Sequence, residues 1–132
     1  MEKMGLSQEQ IDSVISLISI GKFQDALEKT ALLDQKYPGE SLLSNISGTC
    51  YQGLGQFEMA VECYEKAITI NPSYYKAYYN LGGILQDLGK LNASIECFEK
   101  ALSIKPDYAD ANNNIGNVFK ELGQFDNAIK SF

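Results

Sequence analysis

Gly21, Gly55, Gly89 and Gly123 stand 34 residues apart, and most of the chain repeats in step with them. Pro38, Pro72 and Pro106 form a second column, Ala26, Ala60, Ser94 and Ala128 a third, and Phe23, Phe57, Leu91 and Phe125 a fourth. A fixed period of roughly 20 to 50 residues marks stacked small units, none of which can bury its apolar face alone. The expectation is a solenoid rather than one globular core.

Each unit divides into two helical patterns. Leu17, Tyr51, Leu85 and Phe119 share a column, as do Ile20, Leu54, Leu88 and Leu122 three residues later, so both lie on one helix face. The glycine follows at once and predicts the C-terminal stop of a first helix near Gly21, Gly55, Gly89 and Gly123. A second amphipathic pattern follows. It reads Phe57, Val61, Tyr64, Ala67, Ile68 and Ile70 in the second unit, and Leu91, Ile95, Phe98, Ala101, Leu102 and Ile104 in the third. The prolines at 38, 72 and 106 end these second helices. Ser73 and Asp107 offer oxygens to cap the next helix, and Ser7 with Gln10 has capping-box spacing.

Gly48, Gly82 and Gly116 fall inside first helices, where each costs about 1 kcal/mol against Ala. Close approach of the second helix at Ala60, Ser94 and Ala128 is the expected compensation. Val14 replaces the glycine in the first unit, so that hairpin should be slightly wider.

These columns resemble the tetratricopeptide repeat, a 34-residue helix–turn–helix. The best stretch is AYYNLGGILQDLGKLNASIECFEKALSIKPD, residues 77–107. NISGTCYQGLGQFEMAVECYEKAITINPS, residues 45–73, comes next, then ADANNNIGNVFKELGQFDNAIKSF, residues 109–132. The resemblance implies an all-α, right-handed superhelical solenoid of antiparallel helix hairpins, a single array of about three and a half units. The units cover 7–40 (a degenerate N-terminal cap), 41–74, 75–108 and 109–132, the last stopping part-way through its second helix. Phe132 is an aromatic that should pack inward, so further repeats or another domain are expected to follow it. Departures from the pattern are Ser44 and Asn112 in the aromatic column of the first helix, and Thr30 and Lys36 where later units carry aromatics or Ile.

Composition narrows the function. The chain carries a net charge of −6 with no His, and it contains no Arg. Nucleic-acid binding starts from counterion release by Lys and Arg, so no nucleic-acid partner is expected. Apolar stretches are broken by polar residues and the N-terminus lacks a signal-type apolar region, so no membrane span is expected. Cys50, Cys63 and Cys97 lack metal-ligand spacing and read as buried or half-buried thiols of a cytoplasmic protein. The outer-face carboxylates have no His partner, no phosphate loop follows a strand, and no Ser or Cys has a base beside it. The chain is therefore read as not an enzyme, without cofactor or metal.

The binding face is read by elimination on the first helices, which line the inner surface of such a stack. It carries Lys76, Tyr79, Asn80 and Gln86 in the third unit, Asn113, Asn114, Asn117 and Lys120 in the fourth, and Asn45 in the second. An amide both donates and accepts, so it can bond a peptide group of any sequence. Asn80 and Asn114 are 34 apart and would form successive rungs, similar to the asparagine ladders of some helical-repeat proteins; the alternative is that Asn is simply a soluble helix-surface residue here. Ile11, Ile15, Ile18, Leu42 and Ile46 form an apolar group that either seats a partner's aliphatic anchor or packs internally, under residues 1–6 or between units. Some family members grip a C-terminal carboxylate with Lys, Asn and Arg; without Arg, and with Ile11 and Ile46 in the columns concerned, no such clamp is expected. The function expected is a protein-interaction scaffold binding a peptide or helix segment. Two alternatives stand beside it: a substrate-docking segment at the N-terminus of a larger glycosyltransferase- or sulfotransferase-type enzyme, and self-association through an apolar edge at Ile115, Phe119, Leu122 and Phe125.

Overall fold

The computed structural model describes residues 5–130, with side chains described for residues 5–123. It contains α1 (Gln8–Ser19), α2 (Phe23–Lys36), α3 (Ser41–Gly53), α4 (Phe57–Ile70), α5 (Tyr75–Asp87), α6 (Leu91–Ile104) and α7 (Ala109–Lys130). No strand occurs among the described residues. The helices fall into two compact units, Met1–Pro72 and Ser73–Phe132. In the first, α1 packs on α2, α2 on α3 and α3 on α4; in the second, α5 and α7 both pack on α6 and also touch each other.

Three of the four expected glycine turns are made. Gly21, Gly55 and Gly89 have φ of 80°, 77° and 78°, the left-handed backbone that lacks a Cβ penalty only in glycine. The residue after each glycine bonds back to the carbonyl five earlier: Lys22 N–H to Leu17 at 2.9 Å, Gln56 to Tyr51 at 2.9 Å and Lys90 to Leu85 at 2.8 Å. The glycine N–H takes the carbonyl three earlier, so each turn is a complete Schellman motif. Each second helix stops two residues before its proline, at Lys36, Ile70 and Ile104.

The fourth turn differs. α7 runs unbroken through Gly123 to Lys130. A Schellman turn exchanges helical bonds for packing by the helix that folds back. Continuing the helix keeps its backbone bonds for the modest cost of one interior glycine, about 1 kcal/mol. The roles expected of Phe125, Ala128 and Phe132 fall on side chains outside those described.

The caps also differ from expectation at two of three sites. Ser7 and Gln10 form the reciprocal capping box, with the Gln10 N–H donating to Ser7 Oγ at 3.1 Å and the Ser7 N–H donating to Gln10 Oε1 at 2.9 Å. The N-cap of α5 is Tyr74 rather than Ser73, and the Tyr74 side chain makes no capping bond. Asp107 instead pairs with Lys105 at 3.3 Å.

The interior glycines make room for a ring. A Cβ on Gly48 would stand 2.5 Å from the Tyr64 ring, and one on Gly82 would stand 2.8 Å from the Phe98 ring. Both rings are essentially fully buried. The expected neighbours, Ala60 and Ser94, are buried too, and the Ser94 hydroxyl donates to the Gly82 carbonyl at 2.7 Å. The ring, however, is what meets the missing Cβ. The first hairpin inverts this pairing: Val14 replaces the glycine and Thr30 replaces the aromatic, and both are buried. Thr30 satisfies its hydroxyl within its own helix, on the Ala26 carbonyl at 2.7 Å. The volume lost on one helix is regained on the other, and α1 and α2 approach each other less closely than α3 and α4 or α5 and α6, in line with the wider hairpin expected.

Gly82→Ala should therefore destabilise the protein by about 1–3 kcal/mol through overpacking against Phe98. Gly83→Ala, where nothing lies within 4 Å, should stabilise it by up to about 1 kcal/mol through helix propensity. Urea denaturation of the two variants checks the sign, and a shift in the same direction for both would contradict the ring-seat account.

Tyr64 supplies a second test. Burial pushes its phenol up from 10 to about 12, opposed by the hydrogen bond to Thr49 and aided slightly by Cys63 and Cys50. Its hydroxyl donates to Gln52 Oε1 at 2.8 Å and shares a 3.3 Å bond with Thr49 Oγ1. Because the folded pKa is raised, this contribution is intact below pH about 10 and is lost as pH rises toward about 12, where the unfolded chain has already released its proton. Tyr64→Phe should lower stability at pH 7 by about 1 kcal/mol and flatten the fall between pH 10 and 12. Equal alkaline slopes for variant and wild type, in urea midpoints against pH, would contradict it.

Candidate functional site

In the second unit, two first-type helices present the amide-rich face. α5 and α7 are repeat equivalents, and two side-chain hydrogen bonds run directly between them. Asn114 Nδ2 donates to the Tyr79 hydroxyl at 3.3 Å, and Gln86 Nε2 donates to Glu121 Oε1 at 2.6 Å. Both pairs are separated by 35 residues, one more than the repeat. Asn114 therefore meets the tyrosine hydroxyl of the preceding repeat. Asn80 is half-buried and makes an interaction of its own.

Tyr79 is held from below. Its ring lies 5.7 Å from Phe98 and 5.1 Å from Tyr108, and Tyr108 in turn meets Tyr75 edge-on at 5.1 Å. Burial raises the Tyr108 phenol, helped by Tyr79, Asp110 and Tyr75. Lys105 Nζ stands 5.6 Å from the centre of the Tyr75 ring. The sequence signal for Tyr75 is the tyrosine-rich run from Tyr74 to Tyr79, and Tyr108 stands one repeat after Tyr74. They fix the orientation of Tyr79, and through it that of Asn114.

Around this bonded pair lie side chains left to solvent. Lys76 on α5 and Asn113, Asn117 and Lys120 on α7 are exposed. Within α7, positions 113, 117 and 120 have spacings of four and three, so they form one stripe. The sequence-derived set thus separates: Tyr79, Gln86 and Asn114 bind helix to helix, while Lys76, Asn113, Asn117 and Lys120 remain accessible.

In the first unit, Asn45 is half-buried on α3 and makes an interaction of its own; its carbonyl accepts from Thr49 Oγ1 at 3.3 Å. The apolar group mostly packs inward. Ile46 is 6% exposed in a core with Val14, Ala26, Leu33, Leu43 and Cys50, and Ile18, Leu42 and Leu6 pack against that core. Ile11 lines an open cavity of about 400 Å³ with Gly5, Leu6, Glu40 and Leu42. Ile15 alone of the group stays largely exposed, at 48%. Of the C-terminal edge, Phe125 lies outside the described side chains. Ile115 and Leu122 pack against the Phe98–Val118 core, leaving Phe119 exposed.

The chemistry of these faces is that of hydrogen bonding. The thiols are free, and burial raises Cys50 to about 11, with Cys63 pushing it the same way. Burial and Glu62 raise Cys63, while Lys66 lowers it. Such thiols are poor nucleophiles at neutral pH. Among the described residues no group of three His, Cys, Asp or Glu side chains is placed to hold a metal, and no helix is long and apolar enough to cross a membrane.

Comparison with curated protein sequences finds no match. Solved structures do match. The second TPR domain of human RPAP3, in complex with the HSP70 peptide SGPTIEEVD, is 25% identical, with a TM-score of 0.75 over 83% of this chain and 91% of that one. MamA is 27% identical, with a TM-score of 0.79 over 92% of this chain and 71% of that one. The Sgt2 TPR domain from Aspergillus fumigatus, at 17% identity, shows the fold alone, with a TM-score of 0.85 over 96% of this chain and 87% of that one. The family profile described as TPR repeat matches residues 51–89 and 84–123, together more than half of the chain. An all-α stack of antiparallel hairpins on a 34-residue period, with this match, makes the chain a member of the tetratricopeptide-repeat family.

Proposed function

We propose that the chain is a protein-interaction module that binds an extended peptide along the α5–α7 face. The observation that carries this reading is the division of labour on that face. Tyr79–Asn114 and Gln86–Glu121 hold the two helices in register, so the neighbouring Asn113, Asn117 and Lys120 stand exposed on a preformed surface. A preformed surface loses little ordering entropy on binding. The exposed amides suit peptide N–H and C=O groups, and Lys76 and Lys120 suit acidic side chains. Asn80 and Asn45 belong to the same reading, each on the face of its own unit.

The peptide-bound RPAP3 domain supports a peptide as the class of partner. The mode of grip differs in this proposal. The chain contains no Arg, and Ile46 lies in the core while Ile11 packs beside Leu6. A C-terminal carboxylate therefore finds no cationic clamp in those columns, and backbone recognition replaces it.

Two measurements test this. SGPTIEEVD should bind equally well as free acid and as C-terminal amide in calorimetry; clearly tighter binding of the acid would overturn backbone recognition. On an array of acidic nonapeptides, the Asn113→Ala, Asn117→Ala, Lys120→Ala triple variant should lose about tenfold or more in retention relative to wild type, at least 1.4 kcal/mol. Its melting temperature should move by no more than a few degrees. Undiminished retention would sink the assignment of this face.

A further inference from the structure

Ser44 and Ser47 on α3 occupy the columns filled by Tyr78 and Leu81 one repeat later. The third unit thus places a phenol ring and a branched aliphatic chain where the second unit has only two hydroxymethyl groups. At this point the compact unit Met1–Pro72 contains an open cavity of about 210 Å³ lined by both serines, Leu27, Tyr51, Asp34 and Lys66, among others. It lies against α2, α3 and α4, entirely inside the Met1–Pro72 unit.

The walls define a ligand. An apolar cavity of about 150 Å³ takes up benzene, so this volume admits one substituted ring and little more. Leu27 and Tyr51 offer apolar and aromatic contact. Ser13, Ser19 and Ser103 each donate to the carbonyl three residues earlier. The Ser44 and Ser47 hydroxyls make no hydrogen bond to another described residue, and since no buried side-chain oxygen among the described residues lacks a partner, both open to solvent in the cavity. Two solvent-reaching hydroxyls beside an apolar wall can exchange water for a ring that carries its own hydroxyl. Asp34 and Lys66 on the same wall balance in charge, so neither a cation nor an anion is favoured.

We propose that this cavity binds a neutral one-ring phenol, which restores the ring missing from the column and engages Ser44 and Ser47. The phenol arrives either as a free small molecule or as the side chain of a tyrosine. Both share the chemistry, and the two sources are separable by experiment.

The test is an amide-resolved NMR titration of the full chain with p-cresol, toluene and N-acetyl-tyrosinamide. p-Cresol should give saturable shifts at Ser44, Ser47 and Tyr51 in the millimolar range, and toluene should bind several-fold more weakly. Ser44→Tyr should weaken p-cresol by about tenfold or more while raising the melting temperature, because it supplies the ring in cis; Ser47→Leu replaces it if Ser44→Tyr does not fold. Ser47→Ala, which keeps the space, should bring p-cresol close to the affinity of toluene. Tighter binding of N-acetyl-tyrosinamide than p-cresol assigns the ring to a peptide, and weaker binding assigns it to a free phenol. Absence of saturable p-cresol binding, equal binding of toluene, or unchanged binding to the filled variant would overturn the proposal.

Discussion

The contact on which each middle hairpin depends is a buried aromatic ring laid on a helix position that has no Cβ. Tyr64 on Gly48 and Phe98 on Gly82 are the same contact one repeat apart. Each ring brings large apolar area to the seam at the expense of a helix-disfavouring glycine, and burying such a side chain stabilises by about 1.5–3 kcal/mol against about 1 for the glycine. The exchange is favourable only if the helices stay close enough for the ring to reach the bare backbone. That condition explains why small residues such as Ala60 and Ser94 occur one turn before the ring.

The same seam tolerates a different solution when both halves change together. The first hairpin buries an aliphatic, Val14, on the first helix and a small residue, Thr30, on the second. Taken singly, each looks like decay of the repeat pattern. Taken as a pair they conserve volume, which is what a close-packed interior requires. Polar atoms at the seam are also satisfied locally: Thr30 by its own helix, Ser94 by the facing Gly82 carbonyl, and Tyr64 by Gln52 and Thr49. Every hairpin can thus be dry without leaving a buried orphan.

Features that depend on one residue's backbone freedom were legible in the sequence. Gly21, Gly55 and Gly89 stand at the turns because only glycine enters the left-handed region without strain. Pro38, Pro72 and Pro106 mark the helix stops for an equally local reason. Features that depend on a partner were not legible. Gly123 shares the column but not the turn, and α7 runs through it to Lys130. Asn114 shares a column with Asn80 but bonds to Tyr79, because neighbouring first helices are offset by one residue beyond the repeat. Ser73 has the right chemistry for a cap, yet Tyr74 takes the position through backbone geometry.

That offset also separates recognition from stability on the α5–α7 face. A period of 34 places equivalent residues on equivalent helices, but contact between those helices joins residues 35 apart. One stripe of each helix is thereby committed to its neighbour, and the adjacent stripe is left over. On α7 the committed stripe is Asn114 and Glu121, and the free stripe is Asn113, Asn117 and Lys120. The committed residues must complement the preceding helix and are constrained by it. Those in the free stripe answer only to solvent or to a ligand. A repeat protein can therefore change what it binds one column at a time while the neighbouring column keeps the helices in place. In the binding mode proposed for this chain, the polar content of the free stripe is what suits a peptide backbone as the ligand.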